Sequence, residues 1–332
     1  MASIRFPPPG RESADWRAAG LRYHRLSWFF RRKFGRRVWK ISVDGGLGCP
    51  NVRGPTGAVG CVFCNVLSFS PSRRGPPRSI TEQLADGARH LHQRYAADRF
   101  VAYFQPGTNT YAPVERLRAM YEEALAHPQV VGLAIGTRPD CVPDDVLDLL
   151  AEIAQRTWLV IEYGLQSVHE RSLVWLRRGH DFAAFFDAVD RSHRRGLAIG
   201  AHVILGLPGE GPEDMLATAR EVARLPIHSV KLHNLYAVKD TPLAAAVAEG
   251  TIRLPGLDEY TRYAADFLEA IPPACVVDRL CGDAPPQYLV APQWCRDKAA
   301  VRAAIEAELS RRGTWQGKGC QPSSHASSPR LS

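Results

Sequence analysis

No apolar run in this 332-residue chain approaches the ~20 residues that a membrane-spanning helix needs. The opening residues, MASIRFPPPGRES, hold no apolar core of secretory-leader length. Both absences lead us to expect a soluble, cytoplasmic protein with no membrane partner. The eight cysteines lack the even framework of a disulfide scaffold, and Cys141, Cys275, Cys281, Cys295 and Cys320 lie scattered. No glycine-rich dinucleotide fingerprint follows the first predicted strand, which counts against an open, doubly wound nucleotide fold. No histidine stands between Cys49 and Cys64, so a tetrahedral zinc site there would have to recruit a ligand from afar, the nearest in sequence being His24 and His90.

What is present is more specific. Cys49, Cys61 and Cys64 fall in CPNVRGPTGAVGCVFCN. Three thiolates can hold three irons of a four-iron, four-sulfur cluster and leave the fourth iron open to a ligand, whereas a site of four cysteines is closed. Thiolates meant for iron require a reducing compartment. The run before them, VWKISVDGGLG, reads as a strand entering a glycine-bearing loop, so the thiols follow the first strand of a sheet.

With 45% hydrophobic residues the chain can bury one large core. Strands are expected at Val38–Val43, Phe100–Phe104, Val131–Ile135, Trp158–Tyr163, Ile199–Leu205 and Ser229–Leu232, each short, apolar and rich in β-branched or aromatic residues. Helices are expected near Ser79–Ala96, Val114–Ala126, Pro143–Gln155, Phe182–Arg195 and Pro212–Arg224. Ser79 with Glu82 fits a capping box, and Pro143 and Pro212 sit where helices begin. Six such units predict an α/β fold, a parallel sheet curled into a partial (βα)6 TIM-like barrel with short N- and C-terminal extensions. Residues 1–20 read as a flexible lead, 21–275 as the core with a basic lead-in, 276–312 as an extension packing on the barrel and 313–332 as a disordered tail.

Polar residues gather where the strands end: Gln105 to Thr108, Gly136 to Asp140, Glu162 and Gln166, His202, then Lys231 and His233. In a barrel that rim is where chemistry is assembled. The plainer reading of Glu162 and Lys231 is that they pair inside the barrel. The lead-in LRYHRLSWFFRRKFGRRVWK interleaves aromatics with Arg31, Arg32, Lys33, Arg36, Arg37 and Lys40. That pattern suits stacking and phosphate contacts with nucleic acid, or else an amphipathic helix that docks on the barrel with its basic face in water. A net charge of +8 permits an anionic partner.

The stretches KISVDGGLGCPN, GCVFCN, YFQPGTNTYAP, VGLAIGTRPDCVPDDVLDLL, IEYGLQSVHERSL, RGHDFAAF, HVILGLPGE and VKLHNLYAVKDTPLA resemble the radical S-adenosylmethionine (SAM) enzymes. They are most similar to a short bacterial branch related to the radical core of the Elongator catalytic subunit, without an acetyltransferase domain. The spacing is C-x11-C-x2-C rather than the superfamily's usual C-x3-C-x2-C, and the long first interval also marks that branch. The resemblance implies a [4Fe-4S] cluster on Cys49, Cys61 and Cys64, S-adenosyl-L-methionine on the open iron, and its reductive cleavage to a 5′-deoxyadenosyl radical. It implies cofactor contacts from Phe63 and Ile204 beside the adenine, from Gln105 near the methionine amino group, from Glu162 and Gln166 for ribose or methionine, and from Lys231 toward a carboxylate. Flavodoxin or ferredoxin is the expected electron donor, with RNA a possible substrate and no DNA expected. The alternative is a non-enzymatic zinc- or iron-binding module that interacts with RNA.

Overall fold

Alternation along each strand decides which side chains face the helices and which face inward. The computed structural model describes residues 15–52 and 60–320. Its strands are β1 (Trp39–Val43), β2 (Phe100–Phe104), β3 (Val130–Thr137), β4 (Trp158–Gln166), β5 (Ala198–Leu205), β6 (Ser229–Asn234), β7 (Ala237–Val238), β8 (Val276–Arg279) and β9 (Leu289–Ala291). All six predicted strands are present. The main sheet is parallel throughout, in the order β1-β2-β3-β4-β5-β6-β8, and β7 pairs antiparallel with β9 in a small ribbon.

The seventh sheet strand, β8, opens the stretch expected to be only an extension. Its sequence, VVDR, is short and half charged, so it lacks the apolar signature of the others. Its charge is matched across the barrel instead: Asp278 forms an ion pair with Lys40 of β1, which shows how far the sheet curls. Among the described residues no helix is long and apolar enough to cross a membrane.

Outward positions, such as Ile41, Phe100, Phe104, Leu133, Ile161 and Val203, form the main core with the surrounding helices. The expected helices form. Ser79 Oγ accepts from the Glu82 amide at 3.2 Å while Glu82 accepts from the Ser79 amide at 2.8 Å, closing the predicted capping box on the helix Ile80–Tyr95. Pro212 opens its helix, whereas Pro143 occupies the cap position one residue before Asp144.

Inward positions build a second, smaller core. Val101, Ala134, Trp158, Val160 and Val276 meet Phe29 and Phe30 of the helix Leu26–Phe34, which plugs the barrel beneath the strand starts. Phe30 packs edge-on to Trp158 at 5.1 Å, and Phe29 packs edge-on to His228 at 5.1 Å. Phe29 and Phe30 of the basic lead-in are therefore core, and the lead-in forms an amphipathic helix docked on the barrel. Lys40, which reads as part of the basic run, is an interior residue. Order also reaches further at both ends than expected. Trp16 and Gln316 are fully buried, and Gln316 accepts from the His24 amide at 2.8 Å while donating to the carbonyls of Pro272 and Cys275. The remainder of the expected flexible lead and tail, 1–14 and 321–332, lies outside the described residues.

Under this plug, burial first, and then the charges of His24 and Lys33, hold the His228 imidazole down at about 4, against an ordinary 6.5. The folded chain resists a proton that the unfolded chain accepts. Stability is therefore full above the unfolded value and declines as pH falls from 6.5 toward 4. His228→Leu is expected to flatten the dependence of the urea midpoint on pH by about one proton in that window. An unchanged slope would refute this account.

Candidate active site

Every strand of the main sheet runs the same way, so the loops that follow them open at one end, where barrel enzymes carry their active sites. A cavity of about 1210 Å³ occupies that end. Cys49, Cys61 and Cys64 line it together with Phe63, Gln105, Glu162, Gln166 and Ile204. Of the site residues named from the sequence, Lys231 alone lies beneath the cavity rather than in its wall.

The thiol-bearing loop is fastened by a segment far away in sequence. Leu176 accepts from the Val62 amide at 3.2 Å, and Asn51 Nδ2 donates to the Arg177 carbonyl at 2.5 Å. Arg178 Nη1 and Asn51 Nδ2 both approach Cys61 Sγ at 3.2 Å. Arg138, held in a two-pronged pair with Asp140 at 2.9 and 2.6 Å, in turn donates to the carbonyls of Arg178 and Gly179. On the other flank, Asp44 accepts from Arg73 Nε and Ser70 Oγ, each at 2.6 Å, and Arg73 also donates to the Leu47 carbonyl. Gly107, at φ +80°, lets the loop after β2 come close; a Cβ there would lie 2.8 Å from the Leu47 carbonyl oxygen.

Desolvation at the sulfur, followed by the neighbouring Cys61 and Cys49, pushes the Cys64 thiol up, while Arg178 and Arg73 pull it down; the residue as a whole keeps exposed surface, which limits the shift. Thiols crowded in this way release their protons most readily to a bound cation. Among the described residues no three His, Cys, Asp or Glu side chains converge on a single ion. A cluster that takes one thiolate at each of three separate irons does not need such convergence.

Below the cavity floor the barrel is filled by charge. Glu162, 2% exposed, receives Lys40 Nζ at 2.8 Å on one oxygen and Lys231 Nζ at 2.6 Å on the other. Lys231 also reaches Asp278 at 3.3 Å and donates to the Tyr103 hydroxyl at 2.8 Å. Burial alone would push the Glu162 carboxyl up, but Lys231, Lys40 and His202 more than reverse this and hold it well below the usual range. Burial, then Lys231, holds His202 at about 4, so its neutral ring donates from Nε2 to Glu162 at 2.8 Å. His233 stacks on His202 at 5.5 Å and takes a hydrogen bond from Arg279. Glu162 and Lys231 thus satisfy one another. The Glu162 carboxylate still borders the cavity, whereas the Lys231 ammonium is consumed inside the barrel.

Gln166 sits at φ +70° beside an irregularity in the β4–β5 pairing, an unusual conformation for a residue with a side chain. A Cβ on Gly164 would come within 2.7 Å of both Gln166 Nε2 and Arg178 Nη2, so the glycine makes room for the pair. Arg178 is the principal site residue that sequence reasoning passed over. Its only signal is a place in RGHDFAAF, and the contact with Cys61 spans 117 residues of chain. Several buried polar atoms of cavity-lining residues lack a hydrogen-bond partner among the described residues: Thr108 Oγ1, Arg178 Nε and Arg279 Nε. Leaving such atoms unpaired costs about 1–3 kcal/mol each, so a cluster of them marks a place for a ligand.

The family model described as the Radical SAM superfamily matches residues 52–222, and the one described as Radical_SAM C-terminal domain matches 227–311. The uncharacterized protein YtqA of Bacillus subtilis (strain 168) is 40% identical over 297 residues, which is 90% of this chain and 92% of that protein. The tRNA uridine(34) acetyltransferase of Dehalococcoides mccartyi (strain CBDB1) is 27% identical over 185 residues, 55% of this chain and 40% of that one. Among solved structures, the archaeal Methanocaldococcus infernus Elp3 with an N-terminal deletion shares the fold at a TM-score of 0.63 and 17% identity. The match covers 84% of this chain but 64% of the Elp3 chain, so less than two thirds of that protein is represented.

Proposed function

Because the chain belongs to the radical SAM superfamily, whose cofactors are a [4Fe-4S] cluster and S-adenosylmethionine, we propose that it is an enzyme that binds the cluster through Cys49, Cys61 and Cys64 and cleaves S-adenosylmethionine reductively. The observation that carries this reading is the meeting of all three thiols at one cavity, with the Arg178 guanidinium on the sulfur of Cys61. When bound, the cluster supplies the single electron that breaks the sulfonium and gives a 5′-deoxyadenosyl radical able to take hydrogen from a substrate.

The residues present fit both groups. The unpartnered Arg178 Nε and Thr108 Oγ1 flank the thiol loop and suit the carboxylate and amino ends of an amino acid. Phe63 and Ile204 belong to one apolar cluster with Val62, Leu176 and Leu207, which suits the flat adenine ring. Gln166 and Glu162 offer an amide and a carboxylate to ribose hydroxyls. The buried lysines keep Glu162 ionised and therefore able to accept hydrogen bonds. Burial in this wall also excludes water from a reactive intermediate.

Flavodoxin or ferredoxin would provide the electron. RNA is the substrate class we favour, supported by the partial match to a tRNA-modifying enzyme. On this reading the cavity rim meets the RNA, since the helix Leu26–Phe34 sits at the other end of the barrel. Anaerobic reconstitution is expected to yield about four irons per chain. Dithionite with S-adenosylmethionine should then release 5′-deoxyadenosine. A protein that takes up one zinc and never cleaves the sulfonium would overturn the proposal in favour of a non-enzymatic metal-bound module.

A further inference from the structure

The cavity has a second wall that the cofactors do not explain. It is built by the segment 279–298, fixed in place by the β7–β9 ribbon, by the Lys239 amide on the Tyr288 carbonyl at 2.9 Å, and by Trp294 Nε1 on the Pro255 carbonyl at 3.1 Å. Val238, Ala284, Leu289 and Cys295 form a small core of their own beneath it. The segment is therefore a positioned part of the site and not a loose flap.

Charge in the cavity is lopsided. Arg73, Arg138 and Lys298 line it but are matched by Asp44, Asp140 and Asp283 at 2.6, 2.6 and 2.8 Å. Arg178 is turned to Cys61. Three lining cations then have no carboxylate partner among the described residues. Among the described residues Arg74 donates to the carbonyls of Leu67 and Ser68 and lies over the Tyr288 ring at 4.8 Å. Arg279 has a neutral histidine as its partner and a buried Nε with none. Arg296 is exposed at the cavity and makes no ion pair or side-chain hydrogen bond among the described residues. Beside them, Asn234 is 1% exposed and spends its oxygen on the Gly282 amide at 3.0 Å, while its Nδ2 has only the sulfur of Cys295, a weak acceptor, beside it.

The unmatched groups in this wall are donors, three of them guanidiniums or attached to one. Guanidinium forks lining one wall with no acid of their own suit a phosphate group, whose several oxygens can accept from more than one fork at once. We propose that this wall, through Arg279, Arg296 and Arg74 with Asn234, binds a phosphate group of the substrate and so holds the adjoining part of it in the cavity beside the cofactor. The proposal rests on the radical SAM reading for the cofactor half and adds the substrate half: a phosphate ester, whether a free nucleotide or a unit of an RNA strand.

The test uses the anaerobic holoprotein with S-adenosylmethionine bound and no reductant, so that nothing turns over. Uridine 5′-monophosphate, uridine and a short single-stranded RNA are titrated calorimetrically. The wild type is expected to bind the monophosphate more tightly than uridine. Arg296→Gln, which removes an exposed side chain without disturbing the fold, should lose about tenfold or more of that preference. Arg279→Gln should lose at least as much, with its unfolding midpoint measured alongside. Tight binding of RNA with weak binding of the monophosphate, lost in the same variants, would place the phosphate within a strand. Equal affinity for uridine and its monophosphate, together with RNA binding indifferent to both substitutions, would overturn the proposal. Should the protein hold no cluster, the enzymatic reading fails while the comparison of uridine with its monophosphate remains readable, so the two failures are distinct.

Discussion

Cys61→Ala is expected to yield a folded protein that holds no stable [4Fe-4S] cluster and releases no 5′-deoxyadenosine. Cys61 is the thiol with the most support, since its sulfur meets both Arg178 Nη1 and Asn51 Nδ2 at 3.2 Å. With one position of the cluster reserved for substrate chemistry, three thiolates leave none to spare, and two cannot hold it. The fold should survive because the main core lies between the sheet and its helices, away from the thiol loop. The contrast that gives the test its force is Arg178→Met. It keeps all three thiols and removes a neighbour of one of them, together with a donor to the Gly164 carbonyl and the Nε offered to the cofactor carboxylate, so cluster retention is read before S-adenosylmethionine is added and a loss of about 10–100-fold is expected there. Iron content, absorption and paramagnetic resonance, with thermal unfolding as control, separate the two cases. A Cys61→Ala protein that retains full iron would end the assignment.

Lys231→Met should destabilise the fold by about 3–5 kcal/mol, a large share of what holds a domain together. Two ammoniums, Lys40 and Lys231, balance two carboxylates, Glu162 and Asp278, inside the barrel. Removing one ammonium leaves Lys40 to serve both acids and strips the Tyr103 hydroxyl of its donor. The double replacement Lys231→Met with Glu162→Leu restores the balance, leaving Lys40 with Asp278, and is expected to recover much of the loss. Urea midpoints of the two proteins decide it, and a single variant as stable as the wild type would show that the network carries little energy. The pH dependence follows the same logic. The Glu162 carboxyl is held below its unfolded value, so its contribution is present above pH 4.5 and disappears only as pH falls through the lower folded value.

Much of the barrel is legible because its outward faces are made of apolar, β-branched runs separated by capped helices. Capping at Ser79 and the start at Pro212 follow from local chemistry alone. What escapes local reading is whatever the curl of the sheet brings together. Asp278 makes β8 look unlike a strand until Lys40 and Lys231 are placed against it. Lys40 reads as the last cation of a surface run until the sheet closes around Glu162. The aromatics of the lead-in carry a stacking signature whose partners, Trp158 and His228, lie more than a hundred residues away. At the site the cysteines announce themselves by spacing and Gln166 by its place at the end of β4. Arg178 does not, because nothing near it in sequence shows that Cys61 will arrive beside it.

The plug formed by Leu26–Phe34 has a consequence for anything negatively charged. Its arginines emerge at one pole of the barrel and Arg296 at the other, separated by strands of four to nine residues, or roughly 13–30 Å at about 3.3 Å per residue. A mononucleotide cannot bridge that span, so a phosphate ester held by Arg296 leaves the arginines of the plug out of reach. Replacing Arg31 and Arg32 by Gln should therefore leave the affinity for uridine 5′-monophosphate unchanged.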